Sequence, residues 1–341
     1  MSRVLTFGEI MLRLQPPDNK RLLEARGFDA CFGGGEANVA VSLAEFGEDA
    51  AFLTKLPDNA VADACVRDLK WRGVNTDFIL RGGERMGIYF CEKGASQRPS
   101  RIIYDRRGSS VNEIRADEVD CGKLLNGVEW FHFTGITPAL SAEVRGVLEK
   151  ILKEAKKRKI TVSCDLNFRK KLWSTEAARV VMSELMRYAD VLISNEEECK
   201  NVFGLEAEGA DITKGKLDAD GYAAVAGTVK ARFPWLKAVA FTLRGSRSAD
   251  INDWSGIVSA DGKCYRSAEY TVRVVDRVGG GDSFSAGLIY SMLNGKDMQY
   301  AIDFAVAASC LKHSVEGDFN LVSVAEVEEL MNGDGSGRVR R

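Results

Sequence analysis

The chain has 341 residues, of which 45% are hydrophobic and 28% charged, and its formal net charge is −2. This composition is typical of a globular protein, and the near-neutral charge argues against a general attraction to nucleic acids or acidic membranes. No stretch approaches the roughly 18 apolar residues that cross a bilayer, and the N-terminus lacks the apolar segment of a signal peptide. We therefore expect a cytoplasmic protein without a membrane or nucleic-acid partner.

The first predicted elements are short apolar runs and two helices. Helical spacing of Ala37, Val41 and Ala44 predicts a helix that Gly47 ends. Up to residue 73, the predicted strands are Val4–Phe7, Ile10–Gln15 and Ala51–Leu53, and the predicted helices are Glu36–Phe46 and a segment from a cap at Asp58 to about Gly73.

Residues 86–110 have a different pattern, because two β-rich runs are joined by a polar loop. The runs are Met86–Glu92 and Arg101–Asp105. Such a pair is typical of a β-hairpin rather than of a strand–helix–strand unit. We expect a small β appendage assembled from two separated segments, about residues 10–35 and 86–110.

From about residue 115, apolar runs alternate regularly with helical segments. This alternation predicts a parallel sheet covered on both faces, within one large α/β domain of residues 1–332 that is followed by a flexible tail at 333–341. Ligands bind beyond the carboxyl ends of parallel strands, so residues that follow each strand are site candidates. The predicted strands are Trp130–Phe133, Ile160–Cys164, Val191–Ile193 and Ala238–Leu243, and the predicted helices are Ala142–Arg158, Ser174–Tyr188, Glu196–Phe203, Gly281–Leu293 and Met298–His313.

Three consecutive glycines, Gly279, Gly280 and Gly281, precede Asp282 between an apolar run and a predicted helix. Glycines let the backbone turn sharply and present successive N–H groups, here at the positive end of the helix. This arrangement suits a phosphoryl group, and a carboxylate beside it can accept the proton of a hydroxyl. The alternative is a glycine-rich turn with Asp282 as a plain helix N-cap. Neither a Walker loop nor G-x-G-x-x-G occurs in the chain.

The segment Asp276–Phe284 resembles the C-terminal signature D-[TP]-x-G-A-G-D-x-F of the ribokinase/phosphofructokinase-B (PfkB) sugar kinases, with Arg277 and Gly280 as departures. The resemblance covers almost the whole chain. It implies a ribokinase-like, doubly wound, mostly parallel α/β sheet with helices on both faces and a small β-sheet lid. The other matching segments are Gly33–Ala40 (G-G-x-x-x-N-x-A), Asn195–Glu198 (N-x-x-E) and Phe241–Gly245, a T-x-G strand end in which Arg244 replaces the usual glycine.

The resemblance also implies a kinase that uses ATP and Mg²⁺. Asp282 would be the catalytic base, and the three glycines before it would form an anion hole. Asn195 and Glu198 would organise Mg²⁺ and its waters, although the residues alone fit a helix N-cap and a first-turn acid equally well. Asp276 matches a residue used for a monovalent cation, which implies activation by potassium. The implied nucleotide-binding residues are Asn195, Thr242, Arg244, Gly245 and Gly281.

Within the family, the chain resembles the 2-keto-3-deoxygluconate kinases in Tyr104–Ser109, Thr134–Leu140 and Ser163–Arg169. The carboxylate of an acid sugar needs a cation partner when it leaves water, and a guanidinium can bond both of its oxygens. The resemblance implies that Arg106 and Arg169 hold this acid end, whereas the residues alone also fit solvated charge runs. The other implied substrate residues are Gly34, Asn38, Tyr89, Tyr104, Ile136 and Asp165.

The sequence thus predicts a kinase whose partners are ATP and an acid sugar, and which phosphorylates the terminal hydroxyl of 2-keto-3-deoxygluconate. One alternative is the same chemistry on fructose, ribose or another deoxy-keto acid. The other is a regulator that binds a sugar or a nucleotide without turnover. Lid sheets with exposed edges and faces tend to pair, so we expect a homo-oligomer through the lid.

Overall fold

The computed structural model describes residues 3–205 and 219–333, so the predicted tail after residue 333 lies outside the described residues. Within these two ranges, no helix is long and apolar enough to span a membrane. The strands are β1 (Val4–Phe7), β2 (Met11–Gln15), β3 (Asp29–Gly33), β4 (Ala50–Leu56), β5 (Ile79–Arg81), β6 (Gly87–Glu92), β7 (Arg101–Asp105), β8 (Trp130–Thr134), β9 (Thr161–Asp165), β10 (Val191–Ser194), β11 (Ala238–Ser246), β12 (Ile251–Ala260), β13 (Lys263–Arg266) and β14 (Tyr270–Arg273). The helices are α1 (Gly35–Glu45), α2 (Ala60–Trp71), α3 (Cys121–Leu124), α4 (Thr137–Leu140), α5 (Ala142–Lys157), α6 (Thr175–Leu185), α7 (Glu196–Phe203), α8 (Ala219–Arg232), α9 (Gly280–Leu293), α10 (Met298–Lys312) and α11 (Val324–Met331).

The large sheet has the strand order β13-β12-β11-β10-β9-β8-β1-β4-β5. Neighbours from β11 to β5 are parallel, whereas β12 is antiparallel to β11 and to its other partners, β13 and β14. Strand β1 lies inside the sheet with later strands on both sides, which makes the fold doubly wound. The fold class expected from the sequence is confirmed.

Both faces of the large sheet are covered, as the side chains of β1 show. Leu5 and Phe7 belong to one hydrophobic cluster, and Val4 belongs to the other. Successive side chains of a strand point to opposite faces, so both clusters pack on the same sheet. The parallel strands are therefore buried along almost their whole length, and candidate site residues are to be sought where the strands end.

A separate four-stranded sheet, the lid sheet, has the order β3-β2-β6-β7. Strand β2 pairs in parallel with β6 and antiparallel with β3, and β6 and β7 form the expected antiparallel hairpin. Alternate residues such as Arg13 and Tyr89 are buried on the face toward the large domain. The lid sheet therefore contributes one wall of any cleft between the two sheets.

The structure differs from the predicted elements in several places, of which three have a clear local cause. Asn59, not Asp58, caps α2, because its side chain accepts hydrogen bonds from two amides of the first turn, at 3.0 and 3.1 Å. Helix α9 begins at Gly280, one residue earlier than predicted. The antiparallel strands β12, β13 and β14 were not predicted, because their polar and turn residues hide the alternation.

Candidate active site

A cleft of about 380 Å³ opens at the carboxyl ends of the parallel strands, with the lid sheet forming part of its wall. Two of the predicted site residues, Gly245 and Asp276, do not line this cleft. Gly245 faces Asp253 on the side of β11 opposite to Arg244, since residues alternate between the faces of a strand. The predicted site residues that line the cleft are Gly34, Asn38, Tyr89, Tyr104, Arg106, Ile136, Asp165, Arg169, Asn195, Glu198, Thr242, Arg244, Gly279, Gly280, Gly281 and Asp282.

The glycine turn needs glycine for a steric reason. Gly279 precedes α9 with φ +83°, and a Cβ there would collide with the carbonyl oxygen of Asp318. The amide of Gly280 donates to the carbonyl of Arg277 at 3.3 Å. The amide of Gly281 makes no hydrogen bond within the part of the chain that the structure describes. An open amide at the positive end of a helix is a binding group for an anion.

Asp282 lies in the first turn of α9 and is 9% exposed. Its Oδ2 accepts a hydrogen bond from Nδ2 of Asn38 at 2.7 Å. Burial raises the pKa of Asp282 to about 7, although the hydrogen bond from Asn38 lowers it. A carboxylate with a pKa near neutrality can both take up and release a proton at that pH. The N-cap position is held by Gly279, so the alternative of Asp282 as a plain N-cap is wrong.

The first turn of α1 faces the carboxylate of Asp282. Gly34 passes so close to the carbonyl oxygen of Glu9 that a Cβ would collide with it. The amide of Gly34 donates to Oδ1 of Asn38 at 3.2 Å, which orients the Asn38 side chain toward Asp282. A Cβ on Gly35 would lie only 3.6 Å from Oδ1 of Asp282. The positive ends of α1 and α9 therefore converge on one carboxylate.

Two further carboxyls lie at the same edge of the sheet: the buried Asp165, which ends β9, and the half-buried Glu198, in the first turn of α7 after β10. Each accepts a backbone amide hydrogen bond, at 3.1 and 3.2 Å respectively. Burial raises the pKa of both, and the negative charges of Glu198 and Asp282 raise that of Asp165 further. A divalent cation would relieve this repulsion, so the carboxyls fit Mg²⁺. Asn195 caps α7 by accepting from the Glu198 amide at 2.9 Å.

The two predicted arginines differ in what they contact. Arg169 makes no salt bridge with any described residue, and its Nη1 donates only to the carbonyl of the preceding residue, at 3.1 Å. Arg106 is paired with Glu9, with 2.7 Å between Nε and Oε2, and lies over the ring of Tyr104. Ser109 holds the other oxygen of Glu9 at 2.5 Å. Of these two arginines, Arg169 is therefore the one without an acidic salt-bridge partner, whereas the charge of Arg106 is already balanced.

A buried ion network connects the lid sheet to the loop before the glycine turn. Arg13, which is 1% exposed, places Nη2 2.5 Å from Asp276 and Nη1 2.8 Å from Asp318. The hydroxyl of Tyr89 donates to Asp318 at 2.6 Å, and two backbone amides donate to Asp276 at 3.1 and 3.2 Å. The Asp276 carboxylate is thus surrounded by donors of the protein itself. It does not fit a potassium ion, because Arg13 already supplies the positive charge.

Sequence reasoning missed several residues that line the cleft. Glu9 could have been found because it follows β1 at the carboxyl end, and Asn167 because it follows β9 in the same way. The backbone of Asn167 has a φ of +36°, a left-handed conformation that asparagine tolerates. The sequence showed Arg277 as a departure from the signature, but nothing in the neighbouring residues indicated that it lines the cleft. The missed residues are Glu9, Met11, Gly33, Gly35, Glu36, Ile102, Asn167, Ile193, Ser194, Asn252, Trp254, Arg277, Val278, His313 and Asp318.

Comparisons with known proteins identify the family of the chain. The model of the pfkB family carbohydrate kinases matches residues 1–323. A 2-dehydro-3-deoxygalactonokinase from Haloferax volcanii is 31% identical over 98% of each chain, and a 2-dehydro-3-deoxygluconokinase from Thermoproteus tenax is 29% identical over 97% of this chain and 94% of the relative. The solved structure of the 2-dehydro-3-deoxygluconokinase from Thermotoga maritima superposes with a TM-score of 0.94 at 49% identity, covering 98% of this chain and all of that chain. The chain belongs to the pfkB family of carbohydrate kinases, as the signature segments predicted.

Proposed function

We propose that this kinase transfers the γ-phosphoryl group of ATP to the terminal hydroxyl of 2-keto-3-deoxygluconate (2-dehydro-3-deoxygluconate). The observation that carries the proposal is the buried Asp282 carboxylate, whose pKa of about 7 suits a general base beside an open helix N-terminus. The unpaired Arg169 in the same cleft supports an acid sugar as acceptor. Two of the relatives carry this substrate in their names.

A second acceptor is the C4 epimer, 2-keto-3-deoxygalactonate. The relative from Haloferax volcanii is named for it and covers 98% of the chain. Both sugars carry the same carboxylate and the same terminal hydroxyl, so Arg169 and Asp282 would serve both equally. Discrimination between them must come from groups near C4, where one hydroxyl changes direction.

The proposed transfer needs three contributions from the chain. Asp282 accepts the proton of the sugar hydroxyl as the new O–P bond forms and the bond to the β-phosphate breaks. The Gly281 amide and the positive end of α9 stabilise the charge on the transferred group. Asn38 holds Asp282 in position, and the lid sheet excludes water once the sugar is bound. In this proposal Tyr89, Tyr104, Ile136 and Gly34 shape the sugar site.

We propose ATP and Mg²⁺ as the cofactors. Asp165, Glu198 and Asn195 would hold the metal, which would neutralise phosphate charge when bound. Among the described residues, no three His, Cys, Asp or Glu side chains converge as a metal cage, which fits a cation ligated mainly by phosphates and waters. No step is assigned to potassium, because Arg13 occupies the Asp276 carboxylate. All eight cysteines are free thiols, which supports a cytoplasmic location.

The proposed function is tested by measuring ADP release with a panel of acceptors. We expect 2-keto-3-deoxygluconate or its galactonate epimer to give a kcat/KM well above those of fructose and ribose. A preference for a neutral sugar would overturn the proposal. A regulator without turnover would instead show thermal stabilisation by sugar and ATP with no release of ADP.

Replacing Arg169 with alanine is expected to raise the KM for the acid sugar by about 10- to 100-fold, the effect of losing one charge-assisted hydrogen bond. The rates with fructose or ribose should change little, because those sugars have no carboxylate. Arg187→Ala is the matched control, since Arg187 is an exposed arginine outside the cleft. Equal losses with acid and neutral sugars would contradict the carboxylate role.

We further propose that β2, β3, β6 and β7 act as a lid within one kinase domain of residues 1–332, and that two lids pair. On the face away from the cleft, Phe28 and Ile103 are exposed, by 42% and 53%, and Phe28 packs edge-on against Phe90. An apolar sheet face of this kind is typical of an interface between copies.

Phe28→Glu is therefore expected to convert an oligomer into monomers, because a charge would be buried at the interface. Light scattering after size-exclusion chromatography measures the change. Trp71→Glu is the matched control, since Trp71 is 79% exposed on α2, outside the lid sheet. A monomeric wild type, or an unchanged Phe28→Glu oligomer, would rule out this interface.

A further inference from the structure

The wall of the cleft formed by β11 and β12 carries four polar side chains, of which only Thr242 and Arg244 were expected from the sequence to contact the nucleotide. Arg244 on β11 lies directly opposite Trp254 on β12. Directly opposed residues, and residues two apart on a strand, share one face of a sheet. Thr242, Arg244, Asn252 and Trp254 therefore project from the same face, and all four line the cleft.

Two arginines meet at this wall without an acidic partner. Arg244 makes no hydrogen bond or salt bridge with any described residue, and Arg277 makes only long hydrogen bonds, to the Ala249 carbonyl at 3.4 Å and to Asn252 Oδ1 at 3.5 Å. Burial lowers the pKa of Arg277, and the positive charge of Arg244 lowers it further. Arg13 and Arg106, by contrast, are each paired with carboxylates. Converging cations without an acid leave room for an anion.

Two buried N–H groups beside these arginines also lack partners. Asn252 is 1% exposed and its Nδ2 has no acceptor, and Trp254 is 6% exposed and its Nε1 has none either, among the residues that the structure describes. Native proteins rarely leave buried donors unsatisfied. Since both side chains line the cleft, the missing acceptors belong to a ligand that enters it.

The position of Arg277 connects this wall to the chemistry. Its carbonyl accepts the Gly280 amide at 3.3 Å, so its backbone is part of the glycine turn that immediately precedes Asp282. The other arginines that line the cleft, Arg106 and Arg169, follow β7 and β9 and belong to the proposed sugar side. A polyphosphate chain has many negatively charged oxygens that accept hydrogen bonds, and it would reach from the glycine turn to this wall.

We propose that Arg244 and Arg277, with the N–H groups of Asn252 and Trp254, form a clamp for the polyphosphate chain of the phosphoryl donor. The inference rests on the proposed function and adds its donor-side contacts. When the O–P bond to the sugar forms, the bond between the γ-phosphorus and the β-phosphate oxygen breaks, and its electron pair stays on that oxygen. The sugar proton goes to Asp282, and the guanidinium groups neutralise the charge of the leaving diphosphate.

The experiment measures how the effect of a substitution depends on the number of phosphates. Calorimetric titration of wild type, Arg277→Met and Arg277→Lys would use ATP, ADP, AMP, adenosine and inorganic tripolyphosphate. We expect Arg277→Met to weaken ATP and tripolyphosphate binding by about 10- to 100-fold, adenosine binding less than twofold, and Arg277→Lys to recover part of the loss. Arg273→Met is the matched control, since Arg273 is an exposed arginine on the neighbouring β14.

Equal weakening of adenosine and ATP would overturn the clamp, because it would indicate a structural role for Arg277. Unchanged binding of tripolyphosphate in Arg277→Met would overturn it as well. Both outcomes are independent of the sugar. A wild-type protein that binds tripolyphosphate through Arg277 but phosphorylates no acid sugar would leave the clamp standing and remove the proposed substrate instead.

Discussion

Replacing Asp282 with asparagine is expected to lower kcat by about 10²- to 10⁴-fold, the usual share of a positioned acid–base group. The substitution keeps the size of the side chain, and its carbonyl oxygen can still accept the hydrogen bond from Asn38. Substrate binding should therefore change much less than turnover. The measurement is steady-state ADP release with saturating sugar and ATP.

The same substitution should stabilise the protein at alkaline pH. The pKa of Asp282 is 3.8 ordinarily and about 7 when buried in the folded protein. An acid whose pKa is higher in the folded than in the unfolded protein contributes its full stability below about pH 4. This stability is lost as the pH rises through about 7, and the total loss is about 4 kcal/mol. Asparagine does not ionise, so the variant escapes this loss. Urea unfolding at pH 5 and pH 8 should show the larger gain at pH 8.

Asp297→Asn is the matched control for both effects. Asp297 also lies at the start of a helix, and its side chain is the N-cap of α10, because it accepts a hydrogen bond from the Tyr300 amide at 2.8 Å. Its replacement should leave kcat unchanged and should not stabilise the protein at pH 8. If Asp282→Asn kept nearly full turnover, or lost stability at pH 8, Asp282 would not be a buried catalytic base.

Replacing Arg13 with methionine is expected to reduce the free energy of unfolding by about 3–5 kcal/mol at pH 8. The variant would leave Asp276 and Asp318 as two buried carboxylates without a cation. Burial already raises the pKa of Asp318, and Arg13 opposes that rise. Without Arg13 the Asp318 carboxyl should therefore be protonated at higher pH, so the loss measured by urea unfolding should be smaller at pH 5 than at pH 8.

Arg85→Met is the comparison for Arg13→Met, because Arg85 lies next to β6 and pairs with Asp105 at the same 2.8 Å, but on the surface. Exposed pairs contribute about 0–1 kcal/mol, so this variant should lose little stability at either pH. Should Arg13→Met lose no more than Arg85→Met, the buried network would not be what joins the lid sheet to the glycine turn.

Elements with a strong local signal were predictable from the sequence. The strand predicted at Trp130–Phe133 lies within β8, which is buried throughout because both faces of the parallel sheet are covered. Helix α7 was predicted with its observed bounds, Glu196–Phe203, because Asn195 caps it and Gly204 ends it. Strands β12–β14 were missed because antiparallel pairing at the end of the sheet requires no continuous apolar run. Local patterns also could not decide between the adjacent caps Asp58 and Asn59.

The candidate site was predictable wherever a short motif carries the chemistry, as in the glycine turn and Asp282. What the motifs could not give is the partner of each side chain. Arg106 pairs with Glu9 across 97 residues, and Arg13 pairs with Asp318 across 305 residues. Such pairs are set by packing of distant segments, so neither the neutralised charge of Arg106 nor the filled Asp276 carboxylate could be deduced from spacing.

The long separation of these pairs bears on how the protein is made. Asn38 and Asp282 are 244 residues apart, and Arg13 and Asp318 are 305 apart. During synthesis, Arg13 leaves the ribosome long before either of its acids exists, so the nascent β2 strand cannot settle in its final place. Contacts of high sequence separation also slow folding. The catalytic centre is therefore among the last parts of the molecule to assemble, and a chain that ended before residue 318 would lack one of the two acids that hold Arg13.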